Sequence, residues 1–225
     1  MLDRTRHEII LKKILADIYS NKRLQNKLAF KDGTCLYLFH KLNRFSTDLD
    51  FNLLNNELKS YELTKILKQY LILEENISKR NTWFWLGSFE KGRQKVKVEV
   101  SKRRYLDKYE TKNFYGFTVK TMTKDCMFAH KLCAITDRRK PQNRDLFDAL
   151  FMFEQGFNIS EEIIKQRTGK NLKEYFKELI DFIEKKINPA LILDGLGEVL
   201  DEKQKVDTKK NLINKLLFEL KIRSE

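Results

Sequence analysis

The stretch "KDGTCLYLFHKLNRFSTDLDF", residues 31–51, decides how the fold is read, because a glycine turn, an apolar helix and two close aspartates follow one another. Gly33 and Thr34 stand where a short strand ends and a helix begins, a turn whose N–H groups favour an anion such as phosphate. Asp48 and Asp50 alternate along a predicted strand, so both carboxylates project from one face, about 7 Å apart. The pair favours a shared Mg²⁺, since facing carboxylates without a cation repel each other. The alternative is a turn-capping Asp48 and a solvent-facing Asp50.

The composition indicates a folded, basic protein. Hydrophobic residues make up 41% of the 225 residues, enough for a real core, and the formal net charge is +13. That charge favours a polyanionic partner such as nucleic acid, nucleotide phosphates, an acidic protein or anionic lipid. Three cysteines without metal-binding spacing predict free thiols in a reducing compartment. No segment approaches the roughly 20 apolar residues of a membrane span, so we expect a cytoplasmic protein with no membrane association.

The apolar pattern predicts two domains, an α/β core over 1–122 and a helical C-terminal lobe over 123–225 that contributes to the ligand cleft. In the core we expect the following elements: a helix over about 3–22, a strand near 27–31, a helix from Thr34, a strand near 47–53, a helix near 59–75, and a hairpin of 81–89 with 94–102. In the lobe we expect helices near 123–135, 143–156, 203–222 and a long one over 160–187 capped by Ser160.

Three stretches together resemble the DNA polymerase beta superfamily of nucleotidyltransferases, and within it the AbiEii/AbiGii toxin group. Residues 31–51 look like the superfamily's first signature, with the "RFS" run before "DLDF" as in the toxin group. "KVKVEVSKR", residues 95–103, lies where the superfamily carries a third carboxylate on an adjacent strand. "AHKLCAITDRRKPQNRDLFDALF", residues 129–151, looks like the group's lysine helix and arginine–aspartate helix. The resemblance implies an α+β fold: a polymerase-beta-like core with a small mixed or antiparallel sheet flanked by helices, plus the helical lobe.

The resemblance also implies an activity, the transfer of a nucleoside monophosphate from an NTP to an acceptor hydroxyl with Mg²⁺ or Mn²⁺. The implied metal ligands are Asp48, Asp50 and Glu99. The implied nucleotide-binding residues are Gly33, Thr34, Arg44, Ser46 and Lys131, and the implied catalytic residues are Asp48, Asp50, Glu99, Lys131 and Asp145.

Several of these residues keep a structural alternative. Glu99 could form a surface salt bridge with Lys97, Lys131 could extend outward to solvent, and Asp145 could cap a helix. Asp148 is predicted to be structural. Asp32 stands where the family usually has the first of two glycines, and it adds negative charge beside the expected phosphates.

Basic clusters flank the motifs and predict the acceptor. Arg103 and Arg104 follow the strand of Glu99, and Arg138 and Arg139 precede Asp145, which suits RNA binding. The neighbouring aromatic residues could stack bases or form a small core; they are Tyr105, Tyr109, Phe114, Tyr115 and Phe117. The toxin resemblance implies a bacterial type IV system with a tRNA acceptor and a separately encoded antitoxin. A small-molecule or protein acceptor, and a non-catalytic binding module, remain the alternatives.

Overall fold

The computed structural model describes residues 3–92, 94–138 and 140–225. These residues form an α+β structure, which confirms the predicted fold class. The helices are α1 (Arg4–Ser20), α2 (Asp32–His40), α3 (Ser60–Leu67), α4 (Lys124–Asp137), α5 (Asn143–Glu154), α6 (Glu161–Thr168), α7 (Leu172–Lys186) and α8 (Glu202–Ser224), with a 3₁₀ turn at Pro189–Leu191. The strands are β1 (Leu28–Lys31), β2 (Leu49–Leu53), β3 (Ile72–Ser78), β4 (Thr82–Ser88), β5 (Lys95–Ser101), β6 (Tyr109–Phe114) and β7 (Phe117–Met122).

The chain divides into two compact units. The first contains the described parts of 1–41, 45–104 and 108–122, and the second contains the described parts of 42–44, 105–107 and 123–225. Two short segments from the first half of the chain, 42–44 and 105–107, therefore belong to the second unit.

The first unit contains α1, α2, α3 and a seven-stranded mixed sheet in the order β3-β4-β5-β2-β1-β7-β6. At its centre β2 runs antiparallel to β1 and parallel to β5, and the register places Asp50 beside Glu99. Val96, Val98 and Val100 of β5 are fully buried while Glu99 is on the opposite face, as the period-two pattern predicts. This pairing is the feature that brings distant carboxylates to one face of the sheet.

The sheet is larger than the sequence predicts at its β3 edge. The helix predicted over 59–75 is wrong in its second half, since α3 ends at Leu67 and β3 begins at Ile72. All but one of the β3 residues are exposed, so the strand has no apolar face for a sequence pattern to reveal. Its neighbour β4 approaches it closely at Gly87, where an added Cβ would lie 2.7 Å from the Ile72 carbonyl oxygen. Glycine at this position permits the pairing.

The other edge is a β6–β7 hairpin that the sequence pattern also missed. Its two-residue turn is Tyr115-Gly116, with φ values of 47° and 86°, and Phe114 pairs with Phe117 across it. Turns with two positive φ values match the twist of a hairpin and usually carry Asn-Gly. Because tyrosine occupies the first position of this turn, the sequence lacks the Asn-Gly pair that would have predicted the hairpin.

The second unit is helical in the described residues outside 42–44 and 105–107. The single helix predicted over 160–187 is two helices, because Gly169 adopts a left-handed φ of 75° and ends α6. Ser160 is the N-cap residue of α6 as predicted, but its hydroxyl makes no capping hydrogen bond. In α8 a four-residue repeat of Thr208, Leu212, Leu216 and Leu220 is buried. Within the described residues, no helix is both long and apolar enough to span a bilayer.

Candidate active site

The first unit holds a group of charged side chains, here called the carboxylate cluster: Asp48, Asp50 and Glu99 around Lys97. The Lys97 Nζ lies 3.6 Å from an Asp48 carboxylate oxygen, 3.7 Å from Asp50 and 3.9 Å from Glu99. The three acids come together because β2 and β5 are parallel neighbours in register. The predicted pairing of Asp48 and Asp50 on one face is therefore present, and the reading of Asp50 as solvent-facing is wrong, since its side chain is only 18% exposed.

Electrostatic repulsion is strong inside the carboxylate cluster. The pKa of Asp50 is raised to about 7: burial is the largest cause, Lys97 opposes the shift, and the charges of Asp32, Asp48 and Glu99 add to it. The same field raises the pKa of Lys97, with Asp50 as the largest cause. One ammonium cannot neutralise three carboxylates, so the cluster keeps an excess of negative charge that a divalent cation would satisfy.

The residues of the carboxylate cluster suit a hard metal ion by their chemistry. Carboxylate oxygens are the ligands that Mg²⁺ prefers, and the Lys97 ammonium already stands in for a cation between them. In the described residues, however, no three His, Cys, Asp or Glu side chains are arranged to hold a metal ion. The donor atoms suit a metal by their chemistry, but their present arrangement surrounds the Lys97 ammonium.

The first turn of α2 differs from the expected phosphate-binding loop. Asp32 adopts a left-handed φ of 68°, a conformation that favours glycine, and its carboxylate accepts a 2.9 Å hydrogen bond from the Gly33 N–H. That N–H is therefore occupied by the chain's own carboxylate. The Thr34 Oγ1 lies 2.8 Å from the Ser46 Oγ and also hydrogen-bonds the Asp48 carbonyl. Thr34 and Ser46 are both buried, and their contacts fix the start of β2.

The second unit holds a different group, here called the buried ion network: Arg44, Lys131, Asp145 and Asp148. Arg44 donates two hydrogen bonds, of 2.6 Å and 2.7 Å, to the Asp148 carboxylate. The Lys131 Nζ lies 3.0 Å from Asp148 and 3.1 Å from Asp145. All four residues are buried, and Lys131 is only 7% exposed, so the outward-pointing alternative for Lys131 is wrong. Asp148, predicted to be structural, is bonded mainly to Arg44, which the resemblance places among the nucleotide-binding residues.

Charge balance distinguishes the buried ion network from the carboxylate cluster. Burial alone would raise the pKa of Asp148, but the charges and hydrogen bonds of Arg44 and Lys131 outweigh burial and lower it. The Asp145 carboxylate has fewer hydrogen bonds than that of Asp148. Its Oδ2 is buried and has no hydrogen-bond partner among the described residues, and the Arg138 Nε lies 3.5 Å away. Asp145 is the third residue of α5, after Asn143, so it is not the helix cap that the sequence allowed.

The residues predicted to bind nucleic acid differ in their surroundings. Arg103 and Arg104 are exposed, and Arg104 hydrogen-bonds the Asn56 side chain at 3.0 Å. The Arg138 side chain is 51% exposed, while Arg139 lies outside the described residues. Of the candidate stacking aromatics, Phe114 is buried and Tyr115 is 73% exposed at the hairpin tip.

Sequence reasoning missed the position of Lys97 and a second hydrogen-bonded group around His130. The His130 Nε2 lies 2.6 Å from Asp107, and its Nδ1 lies 2.7 Å from Arg167. Because both ring nitrogens have partners, this histidine is not available as a general base. The adjacent Tyr105 ring lies 5.1 Å from the imidazole and beneath the Arg167 guanidinium. These contacts come from segments far apart in sequence, so no local motif reveals them.

Comparison with known proteins supplies a family and a fold. A family model described as the nucleotidyl transferase AbiEii toxin of a type IV toxin–antitoxin system matches residues 13–219. A crystal structure of a proposed nucleotidyltransferase from H. pylori superposes with a TM-score of 0.68 at 22% identity, covering 100% of this chain and 96% of that one. The JHP933 protein of Helicobacter pylori gives a TM-score of 0.62 at 24% identity, covering 100% and 93%.

A third solved structure is more distant. An antigenic nucleotidyltransferase-like protein from Paracoccidioides brasiliensis gives a TM-score of 0.53 at 18% identity, covering 81% of this chain and 90% of that one. At these identities the structural likeness establishes the fold alone. No curated protein gives a significant sequence match.

Proposed function

Because the chain belongs to the AbiEii nucleotidyltransferase toxin family, we propose that it transfers a nucleoside monophosphate from an NTP to an RNA acceptor, most simply tRNA, in a metal-dependent reaction. The observation that carries the proposal is the carboxylate cluster, where two strands hold three acids on one face around a cation. Three carboxylates at close range repel one another and lower the stability of the fold. Their arrangement is therefore better explained by the binding of a cation than by stability.

The chain's residues have separate roles in this reaction. A divalent metal held by Asp48, Asp50 and Glu99 would stabilise charge on the transferring phosphoryl group. Thr34 and Ser46 hold the Asp48 backbone in place through the buried hydroxyl contacts. Lys131 and Asp145 are proposed to bind the nucleotide. The buried Asp145 Oδ2 supports a ligand there, because it makes no hydrogen bond within the described residues and has only the 3.5 Å ion pair with Arg138. A buried acceptor without a donor is costly unless a ligand satisfies it.

Charge supports RNA as the acceptor. The chain has a formal net charge of +13, and Arg103, Arg104 and Arg138 place guanidinium groups where solvent reaches them. Arginine suits phosphate groups because its planar fork can donate two hydrogen bonds at once. The type IV system named by the family also leads us to propose a separately encoded antitoxin as the protein's physiological partner.

The test is a transfer assay with purified protein, Mg²⁺, each labelled NTP in turn and total tRNA. We expect label in RNA with the wild type and none above background with Asp48→Asn. Asp181→Asn, which removes a carboxylate from the exposed surface of α7, is the matched control and should transfer normally.

The alternative acceptors give different results in the same assay. If the label appears in protein, or in a small molecule added as acceptor, then that molecule and not RNA is the acceptor. Nucleotide binding without transfer to any acceptor, under conditions where the protein is folded, would contradict the enzymatic proposal and favour a binding module.

A further inference from the structure

Lys97 occupies an unusual position among the three acids of the carboxylate cluster. Its Nζ is almost equally distant from Asp48, Asp50 and Glu99, at 3.6, 3.7 and 3.9 Å. Each distance exceeds the roughly 2.7–2.9 Å of a charge-assisted N–H···O hydrogen bond. The ammonium is therefore attracted to all three carboxylates without being bonded tightly to one of them.

The strand register explains why Lys97 reaches this point. Leu49 pairs with Val98 and Asp50 with Glu99, so Lys97 lies alongside Asp48 at the start of β2. Side chains two residues apart on a strand share a face, which puts Lys97 and Glu99 on the side of the sheet where Asp48 and Asp50 project. The position of the ammonium is thus fixed by the same pairing that assembles the carboxylates.

We propose that Lys97 is the internal counter-ion of the metal site: its ammonium holds the three carboxylates together when metal is absent and withdraws when a divalent cation binds. The inference rests on the proposed function only in taking these carboxylates as metal ligands. An ammonium and a divalent cation repel each other and cannot share one set of oxygens. The Lys97 side chain is 33% exposed, and its flexible four-carbon stem gives the ammonium a route to solvent.

The consequence is a competition that sets metal affinity. Without Lys97 no ammonium lies between the carboxylates, so metal binding no longer requires displacement of a cation. Lys95 offers a matched control, because it lies on the same face of the same strand but pairs with Glu74 at 2.6 Å. Removing Lys95 lowers the net charge equally without touching the carboxylate cluster.

The experiment is a titration of Mn²⁺ into wild type, Lys97→Met and Lys95→Met without nucleotide, with free Mn²⁺ measured by electron paramagnetic resonance. We expect Lys97→Met to bind Mn²⁺ on the order of tenfold more tightly than the wild type. Lys95→Met should change the affinity by less than about twofold, because an exposed charge farther away is screened. Binding by Lys97→Met that equals or is weaker than wild-type binding would overturn the inference.

Further variants separate the possible failures. Lys97→Arg keeps the charge and adds a fork that can bond two carboxylate oxygens, so it should bind Mn²⁺ more weakly than the wild type; unchanged binding counts against the inference even if Lys97→Met does not fold. Equal, measurable affinity in all variants overturns the role of Lys97 and leaves the metal site intact. Absence of Mn²⁺ binding in every variant, as in an Asp48→Asn reference, overturns the metal site and the inference together.

Discussion

The carboxylate cluster and the buried ion network contain the same kinds of side chain under opposite conditions. In the first, three acids surround one lysine at 3.6–3.9 Å, and the cluster is partly exposed. In the second, two acids and two bases meet at 2.6–3.1 Å in a site closed to solvent. The first is short of positive charge and loosely bonded, which is what a ligand site needs. The second is nearly neutral and densely bonded, which is what a structural site needs, except at Asp145.

The largest expected effect is the loss of catalysis when one carboxylate of the carboxylate cluster is neutralised. Asp50→Asn should lower nucleotide transfer by about 10³-fold or more, because the amide cannot replace a charged metal ligand. It should leave the free energy of unfolding unchanged within about 1 kcal/mol, since a repulsive charge is removed. Transfer assays and urea unfolding on the same preparation measure both. If Asp50→Asn is inactive and also strongly destabilised, the carboxylate cluster stabilises the fold as the buried ion network does, and the contrast between them is wrong.

The matching substitution in the buried ion network should have the reverse effect on stability. Asp148→Asn leaves Arg44 and Lys131 buried without their shared counter-ion, so we expect a loss of about 3 kcal/mol or more in the free energy of unfolding. Asp207→Asn, at an exposed site on α8, is the control and should change stability by less than about 0.5 kcal/mol. A loss below about 1 kcal/mol for Asp148→Asn would mean that the network is not structural.

Acid unfolding provides a smaller test of the same contrast. The pKa of Asp148 is lower in the folded protein than its ordinary value of 3.8, so the unfolded chain takes up the proton first as pH falls. The stability from Asp148 is therefore complete above pH 4 and is lost as pH falls through the lowered pKa. Unfolding measured below pH 4 should lose up to about 1.4 kcal/mol per pH unit from this group. The slope should become shallower in Asp148→Asn.

Sequence and structure agree best where the signal is local. The alternation of Asp48 with Asp50 stands within one stretch, and β5 alternates buried valines with polar residues. Each follows from the period of one element. The strand β3 lacked such a pattern because nearly all of its side chains are exposed.

The rest depended on contacts between segments far apart in the chain. Lys97 looked like a surface partner of Glu99, and only the register between β2 and β5 shows that it also faces Asp48 and Asp50. Arg44 stands beside the "FST" run in sequence but bonds Asp148, 104 residues away. A motif can state which residues are present, but the pairing of elements decides which charges meet.

The smallest effect concerns Asp32, whose carboxylate adds to the negative field on Asp50 and accepts the Gly33 N–H. Asp32→Gly should tighten NTP binding several-fold, equivalent to about 1 kcal/mol, because one repulsive charge is lost and one backbone donor is freed for phosphate. Lys41→Gly is the matched control, since Lys41 also adopts a left-handed φ, of 59°, and should leave NTP binding unchanged. Calorimetric titration with a non-hydrolysable NTP and Mg²⁺ measures both variants. Equal tightening in both would trace the effect to backbone relief, whereas tightening in Asp32→Gly alone assigns it to charge at the phosphate turn.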